Sequence, residues 1–373
     1  MGTEGAGARI VAGRYRLEAK LGRGGMGVVW RATDELLGRR VAVKELPFDD
    51  TLTAEEARRQ RDRTLREARA VAQLHHPHIV VVHDVVEDDE RPYIVMELID
   101  GSTLADRVAE RGPVDAAEAA RIGIALLSAL RTAHEAGVLH RDLKPANVLL
   151  EDGTDRVVLS DFGIAQVPGA TTLTESGSFV GSPEYTPPER IAGVSTGPAS
   201  DLWSLGVLLC AAMSGESPFH RDSLGGVLHA VVSGEISPPA QAGPLLPVVR
   251  GLLERDPQRR LEAVQAEWML RVFRETGRMP ALPADGTRSR TPRGTRERRR
   301  PRRGVLIAAL LIAATAGAGL SAAALLIHLD GAGGATPTSP APGTTTRTAT
   351  PTATPTATVT VTRTTSPVSP GGR

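Results

Sequence analysis

The most informative segment is VLHRDLKPANVLL, residues 138–150, in which strand-like apolar residues bracket a short polar run. The run contains Asp142, Lys144 and Asn147, and Asp161 follows in LSDFG fourteen positions after Asn147. Phosphoryl transfer needs a metal ion that takes carboxylate and amide oxygens as ligands, a carboxylate that orients the acceptor, and a nearby cation. These four side chains include each of those groups. The pattern therefore indicates phosphate chemistry.

A glycine-rich segment, LGRGGMGVVW at 21–30, lies more than a hundred residues earlier. Glycines without side chains let a backbone fold tightly over phosphates and present its amide donors. A dinucleotide-binding fold would need a helix directly after these glycines, whereas Val28, Val29 and Trp30 continue as a strand and VAVKEL forms a second one. We therefore expect the glycines to join two antiparallel strands.

Lysine is rare in this chain, because only three of the 44 basic residues are lysines. One of them, Lys44, ends an alternating strand in which Val41 and Val43 are expected on one face and Ala42 and Lys44 on the other. Such a lysine is either a solvated charge at a sheet edge or a phosphate ligand. Its survival in a chain that otherwise uses arginine favours the ligand.

The helix expected after this strand places a carboxylate on its apolar face. It opens with a capping box formed by Thr53 and Glu56, and Glu67 falls on the stripe of apolar positions. A carboxylate there would cost several kcal/mol unless it were paired. Lys44 is the expected partner, and the alternative is a glutamate at the edge of the stripe.

Composition divides the 373 residues into five regions and excludes some classes of protein. The single cysteine, Cys210, rules out an intrachain disulfide, and the net charge of +1 argues against a nucleic-acid binder. That small net charge conceals nine arginines and one glutamate between 288 and 303. The predicted regions are a flexible N-terminus (1–13), an α+β globular domain (14–276), a basic juxtamembrane linker (277–303), a transmembrane helix (304–328) and a disordered Thr/Pro-rich tail (329–373).

The predicted transmembrane helix contains 23 uncharged residues, 305–327. A helix of that length measures about 34 Å, against about 30 Å of hydrocarbon. The alternative is a buried helix of a soluble domain. The flanking arginines predict a cytoplasmic globular domain and an extracytoplasmic tail, and they could also bind anionic lipid. Ala313, Gly317 and Ser321 recur every fourth residue, a spacing that would permit a homodimer but also arises by chance in an alanine-rich helix.

Together these motifs resemble the eukaryotic-type (Hanks-type) protein kinases, and more narrowly the membrane-anchored bacterial serine/threonine kinases, over residues 15–272. The resemblance implies a bilobal α+β fold with a small β-rich N-lobe and a larger helical C-lobe, with ATP between them. It implies that Asp142 is the catalytic base, that Lys144 touches the transferred phosphate and that Lys44, paired with Glu67, holds the α- and β-phosphates.

The resemblance also implies the remaining ligands of Mg-ATP. Asn147 and Asp161 would hold Mg²⁺, for which Mn²⁺ could substitute, and backbone groups of the hinge at 97–99 would meet adenine. The implied nucleotide-binding residues are Leu21, Gly22, Arg23, Gly24, Gly25, Met26, Gly27, Val29, Ala42, Lys44, Met96, Glu97, Ile99 and Leu149.

Structural and regulatory residues complete the resemblance. Asp201 in DLWSLG would anchor the catalytic loop that contains His140 and Arg141, although a helix cap is the alternative, and Glu189 in PPER would pair with Arg260. In this family the arginine before the base commonly receives a phosphate from the activation segment, here about 161–189. The candidate phosphorylation sites are Thr171, Thr172, Thr174, Ser176 and Ser178, and an ordinary hydroxyl-rich loop is the alternative.

The motifs therefore predict a transmembrane serine/threonine kinase that transfers the γ-phosphate of Mg-ATP to hydroxyls of protein substrates and activates itself by autophosphorylation. A catalytically silent scaffold of the same fold is the rival from another class, and the presence of all four expected residues weighs against it, namely Lys44, Asp142, Asn147 and Asp161. A small-molecule phosphotransferase is the third alternative. Departures from the family pattern at Ser182 and Pro187 leave peptide specificity open, and Leu98 replaces a common hinge aromatic.

Overall fold

The computed structural model describes residues 9–24, 27–47, 52–163, 181–194, 196–234, 236 and 238–280. The predicted transmembrane helix, the tail, most of the basic linker and all five candidate phosphorylation sites lie outside this part of the chain. Within the part that is described, every helix is too short or too polar to cross a bilayer.

The N-terminal part is a six-stranded antiparallel sheet with the strand order β1-β2-β3-β4-β6-β5. One helix, α1, packs against β5 and β6. The glycine segment joins β2 to β3, which are antiparallel as predicted. The elements are β1 (Ile10–Val11), β2 (Tyr15–Gly24), β3 (Gly27–Asp34), β4 (Arg39–Glu45), α1 (Ala54–Ala72), β5 (Val82–Asp88) and β6 (Arg91–Met96).

Strand β4 shows why the predicted alternation matters. Val41 and Val43 are fully buried in one apolar cluster of this sheet, whereas Ala42 belongs to a separate cluster on the other face. Because successive side chains of a strand point to opposite faces, Lys44 is expected on the Ala42 side. The alternation therefore places the side chain of Lys44 on the opposite face of the sheet from Val41 and Val43.

Two local features frame the first lobe. The capping box of α1 is present, with Glu56 N–H donating to Thr53 Oγ1 and Glu56 accepting in return from Thr53 N–H. Strand β1 lies inside the segment that we expected to be flexible, and it pairs with β2 through a tight turn in which Ala12 and Gly13 have positive φ. Val11 is fully buried there.

The C-terminal part is mainly helical. Helices α3 and α5 are buried along most of their length, and α3 packs against both α5 and α8. Cys210 lies inside α5, where burial raises the pKa of its thiol to about 12. The helices are α2 (Leu104–Arg111), α3 (Ala116–Glu135), α4 (Pro188–Ile191), α5 (Pro198–Ser214), α6 (Leu224–Val232), α7 (Leu246–Leu252) and α8 (Ala263–Thr276).

A small second sheet carries the segment 138–150. Its three antiparallel strands are β7 (Gly101–Thr103), β8 (Val148–Glu151) and β9 (Val157–Leu159), and a short 3-10 helix, Pro145–Asn147, leads into β8. Asp161 follows β9 by two residues. Since β8 and β9 are paired, the residues just before β8 and those just after β9 lie at the same end of the hairpin. The two-lobed α+β architecture implied by the resemblance is confirmed.

Candidate active site

Helix α5 anchors the loop that precedes the 3-10 helix. Asp201, which is 1% exposed, accepts hydrogen bonds from the backbone N–H groups of His140 and Arg141 at 2.9 Å each, and His134 Nε2 lies 2.7 Å from its Oδ2. Burial alone would raise the pKa of Asp201, but the contacts with His134 and the loop backbone lower it. Asp201 therefore remains an anion that holds the loop, and it is not the N-cap of α5, whose N-cap residue is Gly197.

His140 ties the same loop to the end of β9. Its Nε2 lies 2.8 Å from the carbonyl oxygen of Ser160, which can only accept, so Nε2 carries the proton and Nδ1 accepts from the N–H of Asp142 at 3.3 Å. Burial lowers the pKa of this fully enclosed imidazole, which agrees with the neutral tautomer. Asp161 and Arg141 both have positive φ. Non-glycine residues in that region are uncommon and cluster at functional sites.

Asp142, Lys144 and Asn147 form one hydrogen-bonded group. Oδ2 of the nearly buried Asp142 accepts from Lys144 Nζ at 2.7 Å and from Asn147 Nδ2 at 3.1 Å. Asn147 Nδ2 also donates to the Asp142 carbonyl at 2.7 Å. Both amide hydrogens of Asn147 are thus directed at Asp142, which leaves Asn147 Oδ1 as the oxygen available to a ligand.

Lys44 and Asp161 form an ion pair that is a second polar contact of the site. Lys44 Nζ lies 3.0 Å from Asp161 Oδ1, with the lysine side chain 8% exposed and that of the aspartate 24% exposed. Within the described residues, His, Cys, Asp and Glu side chains do not gather in groups of three or more that could hold a metal ion. Asp161 and Asn147 nevertheless fit Mg²⁺, because this ion typically takes one or two protein oxygens and completes its shell with substrate phosphates and water.

In this structure Lys44 and Glu67 have other partners, so the expected Lys44–Glu67 pair is absent from this arrangement. Glu67 Oε1 instead accepts from Arg63 Nε and Nη2 at 3.1 and 3.2 Å, and Arg141 Nη1 lies 3.8 Å from the same oxygen. The physical reason is competition among charges. Lys44 has a carboxylate in Asp161, while Glu67 has two guanidinium groups within reach. Glu67 is partly exposed and paired, so the apolar face of α1 carries no uncompensated charge.

The predicted adenine-binding residues come together in one cluster. Buried Ala42 and Met96 pack with Val80 and Val158, and this core is bordered by partly buried residues that include the predicted Val29, Ile99 and Leu149. Val80 and Val158 also belong to the cluster and were not predicted, whereas Leu98 was predicted only as part of the hinge. Val158 could have been found from its pairing with Leu149 across β8 and β9.

The glycine segment borders this cluster on the side of β2 and β3. Gly22, Arg23 and Gly24 end β2, next to the half-exposed Leu21, while Gly25 and Met26 lie outside the described residues. Gly27 has a φ of +116°, and a Cβ there would overlap the carbonyl oxygen of Glu45. The glycine at this position is therefore required by close backbone approach, beside the strand that carries Lys44.

The predicted Glu189–Arg260 pair is present and deeply buried. Two hydrogen bonds join them, Arg260 Nη1 to Glu189 Oε1 at 2.8 Å and Nη2 to Oε2 at 3.0 Å. Arg260 is also bound to three backbone carbonyls, and Ser200 Oγ donates to Glu189 at 2.9 Å. Every polar group of this pair thus has partners, which is the condition for a buried ion pair to be tolerated.

The sequence did not predict the contacts of two arginines near the site, Arg190 and Arg156. Arg190 Nη1 donates to the carbonyl of Arg141 at 2.5 Å, and burial lowers the pKa of Arg190. Arg156 Nη2 lies 2.9 Å from Oε1 of Glu97 in the predicted hinge. Arg190 directly follows the Glu189 of PPER, a motif that we interpreted only through its glutamate. No spacing rule links Arg156 to Glu97.

Comparison with known proteins agrees with this geometry. The family model described as "Protein kinase domain" matches residues 15–269. The chain is 40% identical over 238 residues to a probable serine/threonine-protein kinase, CE0033, of Corynebacterium efficiens, covering 62% of this chain and 35% of the relative. It is 40% identical over 250 residues to serine/threonine-protein kinase PknA of Mycobacterium tuberculosis, covering 65% and 56%.

A third relative extends the comparison beyond these two bacteria. Serine/threonine-protein kinase PrkC of Bacillus subtilis is 38% identical over 213 residues, covering 57% of this chain and 32% of the relative. The chain thus spans between about a third and just over half of the lengths of these relatives. The predicted relationship to bacterial Hanks-type serine/threonine kinases is confirmed. Because the match at 15–269 includes every side chain of the site described above, the chain belongs to the protein kinase family.

Proposed function

We propose that this chain is an active serine/threonine protein kinase that transfers the γ-phosphate of ATP to hydroxyl groups of proteins. One observation carries the proposal: Asp142, Lys144 and Asn147 form a single hydrogen-bonded group, and the His140–Ser160 bond ties their loop to the chain just before Asp161. Lys44 reaches Asp161 from the other lobe. A nucleotide between the lobes would therefore meet all of the groups that phosphoryl transfer needs.

The acceptor oxygen would attack the γ-phosphorus while the bond from that phosphorus to the β–γ bridging oxygen breaks, and ADP departs with the electron pair. The acceptor proton would pass to Asp142. Because Oδ2 already accepts from Lys144 and Asn147, we assign the proton to Oδ1. Lys144 is close enough to Asp142 to neutralise charge on the transferred group.

Magnesium bound through Asn147 and Asp161 would supply positive charge to the phosphate oxygens. In the productive arrangement, Lys44 would hold the α- and β-phosphates and pair with Glu67. Glu67 must then leave Arg63 and Arg141, which occupy its carboxylate in this structure. The arrangement described here therefore differs from the proposed productive one in the partners of Lys44 and Glu67.

The class of acceptor is the point that separates this proposal from a small-molecule phosphotransferase. The full chain would be incubated with Mg-ATP, a generic basic protein and a panel of hydroxylated metabolites, with Asp161→Asn as the control for contaminating kinases. Mass spectrometry should find phosphate on serine and threonine of the protein, and none in the Asp161→Asn reaction. Phosphate on a metabolite alone, or no incorporation at all, would contradict the proposal.

We also propose that autophosphorylation of the activation segment regulates the enzyme, with Thr174 and Ser176 as the first candidates. These residues lie outside the described part of the chain, so the first argument for them comes from the sequence. The second comes from Arg141, whose guanidinium lies 3.8 Å from the carboxylate of Glu67 and would equally bind a phosphate. Phosphopeptide mapping after incubation with Mg-ATP should find modified residues between 171 and 178. An unmodified segment in an active enzyme would refute this mode of regulation.

Anchoring of the chain in the cytoplasmic membrane through residues 304–328 is a further proposal that rests on the sequence alone. Expressed in a bacterium, the full chain should remain in the membrane pellet after a carbonate wash, and a variant without residues 304–328 should not. Protease added outside spheroplasts should remove the tail only. A full chain that the carbonate wash releases would contradict the anchor.

A further inference from the structure

We propose that Arg156 is a positioning residue for the nucleotide, acting through Glu97. The inference rests on the proposed function, because it assumes that ATP binds against the apolar cluster around Ala42, Val80, Met96 and Val158, here called the adenine cluster. It concerns a side chain that lies outside that cluster and outside the phosphate-handling group. The observation behind the proposal is an ion pair between the guanidinium of Arg156, on the β8–β9 hairpin, and the carboxylate of Glu97, the first hinge residue.

The contact between Arg156 and Glu97 is two-pronged. Arg156 Nη2 lies 2.9 Å from Glu97 Oε1 and 3.1 Å from Oε2, and Nη1 lies 3.1 Å from Oε2. The arginine side chain is 27% exposed and the glutamate side chain 19% exposed. The hydrogen bond with Glu97 raises the pKa of Arg156. Paired contacts of this kind fix orientation as well as distance, because the guanidinium and the carboxylate are both planar.

The same guanidinium reaches a third segment. Arg156 Nε donates to the carbonyl oxygen of Pro77 at 2.9 Å, in the loop between α1 and β5, and Nη1 also contacts Glu151 Oε1 at 3.4 Å. Glu97 in turn accepts from the N–H of Val81 at 2.8 Å, and its own N–H donates to the Val81 carbonyl at 2.9 Å. All three nitrogens of Arg156 are therefore engaged.

These three segments border the adenine cluster. The loop at 77–81 contributes Val80, the hinge follows Met96 and contributes Ile99, and the hairpin contributes Leu149 and Val158. Arg156 lies two residues before Val158, and Glu97 directly follows Met96. A change in the Arg156–Glu97 distance would thus shift the hinge, whose backbone is expected to meet adenine, relative to Leu149 and Val158 of the hairpin. The hydrogen bonds of the pair do not include Asp142, Lys144 or Asn147.

A purely structural ion pair would behave differently. If Arg156 only stabilised the fold, its removal would lower the free energy of unfolding and leave nucleotide affinity unchanged in the folded protein. If it positions the hinge, its removal weakens ATP binding while the chemical step proceeds at its former rate. The two roles are separated by measuring KM for ATP and kcat independently.

The test uses the full chain and compares Arg156→Ala and Glu97→Gln with the wild type. We expect the Kd for Mg-ATP, measured by titration calorimetry, and the KM for ATP to rise about three- to tenfold, with kcat within about twofold, as is typical of side chains that influence a site without touching its ligand. The double variant, Arg156→Ala with Glu97→Gln, should bind Mg-ATP no more weakly than the more affected single variant, because both substitutions remove the same interaction.

Arg121→Gln is the matched control. Arg121 makes a similar two-pronged pair with Glu118, at 2.8 and 2.7 Å, and also donates to the carbonyl of Asp155, the neighbour of Arg156. Its removal should leave the Kd for Mg-ATP unchanged. An equal rise in Kd for Arg121→Gln, or an unchanged Kd for both hinge variants, would overturn the proposal for Arg156.

Failure of the two proposals would be distinguishable. If the wild-type chain does not bind Mg-ATP, the proposed function fails and the role of Arg156 fails with it. If the wild type binds Mg-ATP and transfers phosphate but the variants bind it equally well, only the role of Arg156 fails. Glu97→Gln keeps an acceptor for the N–H of Val81, so it provides the decisive measurement should Arg156→Ala not fold.

Discussion

Lys44 forms an ion pair with Asp161, Nζ to Oδ1 at 3.0 Å. This pair joins the sheet of the N-lobe to the segment that follows β9. Glu67, the partner that the motif implies for Lys44, is held by Arg63 and Arg141 instead. In the proposed productive arrangement two carboxylates, those of Asp161 and Glu67, would exchange partners with the cations that contact them here. In the arrangement described here each of these charges has a partner of opposite sign within 3.8 Å.

Replacement of Lys44 by methionine should abolish most of the activity. The variant lacks the cation expected at the α- and β-phosphates, so we expect kcat to fall about 10²–10³-fold, as for loss of one preorganised donor at a site of developing charge. The measurement is the initial rate of phosphate transfer from labelled ATP.

The matched control for Lys44→Met is Lys20→Met. Lys20 lies over the Trp30 ring, at 5.1 Å from its centroid, and has no assigned role at the site. Its replacement should leave the rate near that of the wild type. Comparable losses for the two variants would contradict a specific role for Lys44.

Arg63→Gln should raise the basal activity of unphosphorylated protein. Arg63 and Glu67 are four residues apart on α1, and such pairs contribute about 0.2–0.5 kcal/mol. Loss of this competitor should therefore shift Glu67 towards Lys44 and increase the rate up to about twofold. The measurement is the initial rate of a preparation treated with a phosphatase.

Arg59→Gln removes an equivalent pair on the same helix, because Arg59 contacts Glu55 with both side chains about three-quarters exposed. Its rate should match the wild type. A rate for Arg63→Gln below that of Arg59→Gln would show that Arg63 supports activity, contrary to the role assigned to it here.

Removal of one partner of the buried Glu189–Arg260 pair should destabilise the fold strongly. In Glu189→Ala the guanidinium of Arg260, whose side chain is fully buried, keeps its backbone carbonyl partners but loses its counter-charge. The expected cost is about 3–5 kcal/mol in the free energy of unfolding, measured with urea. Glu35→Ala, which breaks the exposed contact with Arg16, should cost less than about 1 kcal/mol. Equal losses would contradict the assigned difference in burial.

His140 predicts how stability depends on pH. Burial lowers its pKa below 6.5 in the folded chain, although the nearby carboxylates of Asp201, Asp142 and Asp161 oppose the shift. Below pH 6.5 the unfolded chain therefore binds a proton that the folded chain does not, and the free energy of unfolding falls as the pH falls. The slope for one such proton is at most about 1.4 kcal/mol per pH unit.

His140→Gln isolates this contribution, because the partly exposed His76 and the exposed His83 also have lowered pKa values and act in the same direction. The variant should show a shallower slope between pH 7 and 5 in urea unfolding, whatever its stability at pH 7. An unchanged slope would mean that His140 binds protons equally in the folded and unfolded chains, contrary to the lowered pKa.

The motifs predicted those contacts that a fixed spacing or a local rule determines. The capping box of α1 follows from residues three apart, and the group around Asp142 lies within six residues, so short-range geometry settles both. Even the Glu189–Arg260 pair was predictable, because both residues belong to recognisable motifs.

Contacts that depend on long-range packing were not predictable. The sequence favoured Glu67 as the partner of Lys44, and no spacing rule indicates that Asp161 lies next to Lys44 instead. Arg156 and Glu97 are 59 residues apart and belong to no common pattern. Strand β1 has two residues, too few for an alternation to be detected.

The assignment of Asp142 as the catalytic base is tested most directly by the rate of γ-phosphate transfer from labelled ATP to a generic basic protein, measured for the full chain and for Asp142→Asn. Asparagine keeps the size of the side chain and removes the carboxylate that accepts the proton. We predict a loss of about 10²–10⁴-fold, the usual contribution of a general base. Equal transfer by the two proteins would contradict the central claim.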